Sequence, residues 1–194
     1  MIVTKNRRVH GDIIIKRRAK VEKKKYPEYH DELEKDFHGI CGYCGKNEKL
    51  FKEHFQIDHF APQKFKELKD KYENLVYSCP KCNKHKSNKW PTDDATISVV
   101  NEKGFVDPAS EEYDHHLGRD NDGNIYPITK LGEYMYKTLK FDIRPMRIIY
   151  KIQLLAELRD KLEQDNSSTS LIKYKEANKL LNEIIDDLIY KKNE

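Results

Sequence analysis

The apolar positions of this chain fall into segments of two different periods. In the C-terminal third, Ile148, Ile152, Leu155, Leu158 and Leu162 recur at three- and four-residue spacing after Pro145, which suits the first turn of a helix. Gln164 to Thr169 is a polar break. Leu171, Tyr174, Leu181, Ile185 and Leu188 then make a second stripe, with Lys191 and Lys192 placed at a helix end. Two apolar stripes joined by a short polar loop predict an antiparallel helical hairpin. Nearer the middle the period shortens. Phe55, Ile57, Phe60 and Ala61 alternate imperfectly and stop at Pro62, and Asn74-Leu75-Val76-Tyr77-Ser78 runs straight into Cys79, so both read as strands. Pro80 then opens a helix carrying Cys82, Asn83, Lys84, His85 and Lys86. A short helix is expected after Pro27. Ile97 to Val100 reads as a strand, and residues 121–128 as a turn followed by an edge strand.

Four stretches result: 1–38, a basic arm and short helix; 39–90, where the candidate chemistry concentrates; 91–129, a mixed connection; and 130–194, the helical hairpin region. Hydrophobic residues make up 37% and charged residues 36% of the chain, so a modest core under a heavily charged surface is expected. The net charge of +4 is small, but between Lys5 and Lys25 ten Lys or Arg face only Asp12 and Glu22. Such a block suits a phosphate backbone or a solvated arm, and the pattern leaves both open. The run Ile13-Ile14-Ile15 is far too short for a secretory h-region, and no stretch approaches a membrane span, so a soluble cytoplasmic protein without a membrane partner is expected.

The 4 cysteines form two pairs, Cys41-x2-Cys44 and Cys79-x2-Cys82. Two residues between cysteines let one tight knuckle aim both sulfurs at one ion, and four thiolates suit tetrahedral Zn²⁺. Gly39, Gly42 and Gly45 support that tight backbone. A redox dithiol is the alternative, but neither pair has a βαβ context. Between the knuckles lies the Asp58-His59 pair. An acid to hold a metal and an imidazole to address a water, on a strand beside a helix with a polar residue, make a candidate metal-assisted hydrolase site.

With Cys41/Cys44, Asp58-His59-x-x-Pro62, Asn74-Leu75 and Cys79-x2-Cys82-Asn83-x2-Lys86 in view, the chain resembles the HNH family of ββα-metal nucleases over about a quarter of its length. The resemblance implies an α+β fold: a zinc-stapled ββα-metal motif with a mainly α-helical C-terminal region. It implies His59 as general base, Asp58 and Asn83 as ligands of a catalytic Mg²⁺ or Mn²⁺, and Asn74 as the residue holding the loop that bears the base. Cys41, Cys44, Cys79 and Cys82 would hold a separate structural Zn²⁺. Asn83 stands where many members have His, and His85 is the other candidate for that ligand. Lys86, with Lys64, Lys66, Lys84 and Lys89, surrounds the site in sequence and suits a grip on flanking phosphates, with a solvated surface residue the alternative reading of each lysine singly. The implied activity is endonucleolytic phosphodiester hydrolysis, with nucleic acid, DNA in the first place, as substrate. A zinc-dependent nucleic-acid-binding module without catalysis is the alternative. Asp114-His115-His116 lacks a following Asn-helix constellation and reads as structural, as do His10, His30, His38 and His54. The runs Gly104-Phe105-Val106-Asp107-Pro108, Asp122 to Pro127 and Thr129-x2-Gly132 are similar to the HNH component of Septu-type anti-phage defence systems. That resemblance implies a defence role and an ATPase partner.

Overall fold

The computed structural model describes residues 7–18, 23, 25–163 and 167–190. Expectations for Lys5, Lys20, Glu22, Lys24, the Leu188 side chain, Lys191 and Lys192 lie outside the described residues. The chain divides into two units, Met1–Arg144 and Pro145–Glu194.

In the first unit, a 3-10 turn over Tyr26–Tyr29 with Pro27 near its start leads into α1, His30–Asp36. The first cysteine knuckle follows directly. Gly45 closes it at φ +69°, a backbone that side chains rarely adopt, and donates its N–H to Cys41 O at 2.8 Å. Gly42 serves by its size: a Cβ there would stand 2.7 Å from the Phe37 ring and 2.9 Å from Val76 Cγ1. The short helix α2, Glu48–Phe51, leads to β1, Gln56–His59, which pairs antiparallel with β2, Leu75–Ser78. The register sets Asp58 opposite Val76 and His59 opposite Leu75. Cys79 then caps α3, Pro80–Lys86. Strand, strand and helix lie where the apolar pattern and Pro80 predict them.

The rest of this unit supports the motif from outside. The small hairpin of β3, Val99–Val100, and β4, Lys103–Gly104, is followed by α4, Tyr113–His116. A second hairpin pairs β5, Leu117–Arg119, with β6, Ile125–Pro127, and α5, Lys130–Thr138, follows with Thr129 Oγ1 accepting from Gly132 N at 3.0 Å. α5 packs on β4 and β6, so residues 130–144 fold with the motif rather than with the helical hairpin. Buried Arg119 binds Val9 O, Gly123 O and Cys44 O, tying the N-terminal segment and the distal hairpin to the first knuckle. The core is aromatic and aliphatic: Phe37, Tyr43, Leu75, Val76, Tyr77, Phe105, Tyr113 and Leu117 are almost wholly excluded from solvent.

The second unit is the expected hairpin, α6, Met146–Glu163, packed on α7, Ser168–Tyr190. Its buried stripe differs from the expected one. Gln153, Ala156, Ser170, Ala177 and Leu181 are buried, whereas Leu158 is 44% and Leu171 55% exposed. Small side chains permit close helix approach, so Ala156 and Ala177 lie on the buried line with Leu181, the one expected position among the described residues that it keeps, while Leu158 and Leu171 fall outside it.

Candidate functional site

The two cysteine pairs, more than thirty residues apart in the chain, meet in the fold. Their sulfurs lie within 4.8 Å of one another and all four residues are buried. The Cys44 and Cys79 sulfurs are 3.8 Å apart, which is the edge of a tetrahedron whose metal–sulfur bonds are about 2.3 Å. The guanidinium of Arg144 faces the cluster, donating to Cys82 Sγ at 3.1 Å and lying 3.7 Å from both Cys44 Sγ and Cys79 Sγ. The donor set, the spacing and the nearby cation all fit a divalent metal held by four thiolates.

The Asp-His pair lies along β1, whose four residues all border a cleft of about 850 Å³. Gln56, Asp58, His59 and Asn83 all line it. Residues Tyr26 and His30 form one wall, and Lys84 of α3 borders the other. His85 does not line the cleft, because helical phase turns it away from the wall that Asn83 and Lys84 share.

Asp58 is 5% exposed. Its Oδ2 accepts from Tyr43 Oη at 2.5 Å and pairs with Lys86 Nζ at 3.1 Å, so both donors fall on one carboxylate oxygen. Burial raises the Asp58 carboxyl and lowers the Lys86 ammonium from their ordinary values, and each charge partly offsets the other's shift. Lys86 requires a correction. It is 0% exposed and also donates to His59 O at 2.7 Å. A fully enclosed ammonium engaged with Asp58 is not free to grip a flanking phosphate; it ties the end of β1 to α3 through Asp58 Oδ2 and His59 O.

His59 is held at both ring nitrogens. Nε2 lies 2.9 Å from Lys69 O, and Nδ1 lies 3.2 Å from the Gln63 side-chain amide. A carbonyl only accepts, so the neutral ring carries its proton on Nε2 and presents a lone pair at Nδ1. Burial lowers the His59 pKa, with Lys69 O opposing the shift. The Tyr26 ring meets the imidazole edge-on with centroids 4.5 Å apart, and Tyr26 N donates to Asp70 in the loop that supplies Lys69 O.

Asn74 clips that loop closed. Its amide donates to Ala61 O at 2.9 Å and Leu68 O at 3.2 Å, its carbonyl oxygen accepts from Ala61 N at 2.7 Å, and its backbone oxygen accepts from Phe60 N at 2.8 Å. Asn83 donates to Gln56 Oε1 at 2.8 Å, which occupies its amide nitrogen and leaves the amide oxygen as its acceptor.

The other sequence candidates fall elsewhere. Lys64 pairs with Asp93 at 2.7 Å, Lys66 is exposed, and Lys89 donates to His85 O. Asp114 pairs with Arg8, and His116 Nδ1 lies 2.7 Å from Thr129 Oγ1, so Asp114-His115-His116 takes no part in the cleft. Within the basic arm, Arg17 is spent on a two-pronged pair with Asp107 at 2.7 and 3.0 Å and on Leu75 O. His10 is buried, stacked on Tyr113 and bonded to Gly42 O. Sequence reasoning passed over Tyr43, Gln63, Tyr26 and Arg144, and it read as structural His30, which lines the cleft. Only Tyr43 carried a local signal, its place inside a cysteine knuckle.

Among the described residues no helix is long and apolar enough to cross a membrane. No solved structure matches the chain. The Septu protein PtuA of Bacillus mycoides (strain KBAB4) is 24% identical over 150 residues, which covers 66% of this chain and 21% of that protein. The chain thus spans about a fifth of the length of this curated relative. Residues 41–89, which hold both cysteine knuckles, β1, β2 and α3, match the family described as HNH endonuclease.

Proposed function

We propose that this chain hydrolyses phosphodiester bonds of nucleic acid, DNA in the first place, in the cleft along β1, as a metal-dependent endonuclease. The observation that supports this most directly is that His59, with Nε2 held by Lys69 O and Nδ1 left as acceptor, lines the same cleft as Asp58 and Asn83. A base, an acid and a neutral oxygen donor lining one cleft are what water activation beside a metal requires.

In this reading His59 Nδ1 takes the proton of the attacking water, and Gln63 gives way to that water. The Lys69 carbonyl keeps the opposite nitrogen protonated and steadies the ring as charge develops. Asp58, through its second oxygen, and Asn83, through its amide oxygen, would hold Mg²⁺ or Mn²⁺. That ion, when bound, supplies Lewis-acid stabilisation of the phosphate and the departing oxygen. Asn74 keeps the loop that carries Lys69 in place, acting through His59. Cys41, Cys44, Cys79 and Cys82 would hold a structural Zn²⁺. Lys84, exposed and bordering the cleft, is the cation that would meet a flanking phosphate.

The test is plasmid incubated with the full chain and Mg²⁺ or Mn²⁺, wild type against His59→Ala. The wild type should nick or linearise the plasmid, and the variant should lose roughly 10²–10⁴-fold in rate. Two equally inert proteins that both retard DNA on a gel would favour a zinc-dependent binding module instead.

The similarity to Septu protein PtuA supports, beyond the nuclease, a role in anti-phage defence; a cytoplasmic setting and an ATPase partner are the expectations that go with that role. Phage plating on cells carrying the gene with its neighbours, wild type against His59→Ala, tests that role. Equal plating on both strains would dismiss it.

A further inference from the structure

Arg144 is the last residue of the first unit, and its side chain turns back onto residues 62, 65 and 100 positions earlier in the chain. One terminal nitrogen donates to Cys82 Sγ at 3.1 Å and to Leu139 O at 3.2 Å; the other lies 3.7 Å from Cys44 Sγ and from Cys79 Sγ. Its Nε is buried and has no hydrogen-bond partner, and the guanidinium stands 5.3 Å over the Phe141 ring. Among the described residues no carboxylate pairs with it.

A largely enclosed guanidinium needs an anion, because desolvation of an unpaired charge is costly. Four neutral thiols would not supply one. Four thiolates around a divalent ion carry a net charge of about −2 in a buried setting, by the usual charge count of such centres. The position of Arg144 therefore makes sense only if the cysteine cluster is anionic. Conversely, an enclosed dianion is stabilised by a fixed cation whose N–H groups draw electron density from the sulfurs.

Resting on the reading of the cluster as a zinc centre, we propose that Arg144 is its charge-balancing cap: by donating to Cys82, Cys44 and Cys79, it sets how firmly the centre keeps its metal. It is a positioning residue, acting on the metal through the sulfurs. Its planar fork reaches three sulfurs at once, a geometry that a lysine ammonium cannot reproduce.

The experiment uses the full chain as purified, comparing wild type, Arg144→Lys and Arg144→Gln. Zinc per chain is measured by elemental analysis, and zinc transfer to excess EDTA is followed in time. Arg144→Gln should release zinc roughly ten-fold faster or more, with Arg144→Lys between it and the wild type. In the Co²⁺-substituted proteins, the sulfur-to-metal charge-transfer band should move to lower energy in Arg144→Gln, as sulfurs lose donors. A general loss of packing would not order the three proteins this way. Folded Arg144→Gln with wild-type release and an unmoved band would overturn the proposal. Should Arg144→Gln fail to accumulate folded, Arg144→Lys against wild type decides, with equal release overturning it. A wild type that itself holds no zinc, and whose thiols react freely, would sink the zinc reading and this inference with it. Zinc-loaded wild type with indifferent variants would sink the inference alone.

Discussion

Tyr43 Oη donates a hydrogen bond to Asp58 Oδ2 across 2.5 Å, so a residue held between two members of the cysteine cluster orients the acid of the cleft. With Lys86 on the same oxygen, the other carboxylate oxygen is the one left to bind a metal. Tyr43→Phe should weaken Mn²⁺ binding by roughly ten- to a hundred-fold while the zinc content stays at wild-type level. Electron paramagnetic resonance titration with Mn²⁺ measures the first and elemental analysis the second. Unchanged Mn²⁺ affinity would separate the two sites.

The Lys86–Asp58 pair is buried at both ends, so removing one partner leaves the other charge unanswered. Lys86→Ala should cost about 3–5 kcal/mol of stability in urea unfolding. Lys86→Met combined with Asp58→Asn should recover much of that loss without recovering activity. A Lys86→Ala protein as stable as the wild type would show that the pair contributes little.

Burial depresses the His59 pKa below its ordinary value near 6.5. A depressed pKa keeps the ring neutral, and therefore competent as a base, into mildly acidic solution. The acid limb of the rate profile with Mg²⁺ should accordingly inflect below pH 6.5. Moving Lys69 O away, as through Asn74→Ala, should shift that inflection lower still, because the carbonyl contact opposes the depression. An acid limb inflecting above pH 6.5 would contradict the assignment of His59 as the base.

His10 carries a stability prediction of its own. Burial drives its pKa down to about 4, against an ordinary 6.5. Between those values the unfolded chain binds a proton that the folded chain refuses, so stability falls as pH drops from about 6.5 toward 4 and is unaffected above that window. The penalty reaches about 3 kcal/mol at the acid end. Replacing His10 by Gln should flatten the difference between urea melts at pH 7 and pH 5. A wild-type slope retained in the variant would place the acid sensitivity elsewhere.

Stripping the cluster with a chelator should lower the melting temperature of the folded chain, because the four sulfurs join the two knuckles across the β1–β2 hairpin. Circular dichroism before and after chelation, with zinc added back, measures this. A melt indifferent to chelator would deny the metal a structural role.

Much of the site was legible in the chain. The x2 spacing within each knuckle, the apolar run into Cys79, Pro80 at the start of α3 and the adjacency of Asp58 and His59 are local features. Each is governed by a few bonds of backbone geometry, and each reappears in the fold where the pattern put it. The hairpin of α6 and α7 was equally legible as two helices, although not in its buried face, since Ala156 and Ala177 carry too little hydrophobic signal to reveal a seam.

What the sequence by itself determined is thus the motif: which residues stand in the knuckles, on β1 and on α3, because short-range chain geometry dictates them. The tertiary structure alone decided how that motif is wired. Lys86 looks in sequence like its exposed neighbours Lys84 and Lys89, yet helical phase turns it inward onto Asp58, while the same phase leaves Asn83 rather than His85 on the cleft wall. The Tyr43 hydroxyl reaches Asp58 across 15 residues and the Arg144 guanidinium reaches Cys44 across 100. Contacts of that range leave no periodicity in the chain, because they depend on where packing of the whole first unit delivers each side chain.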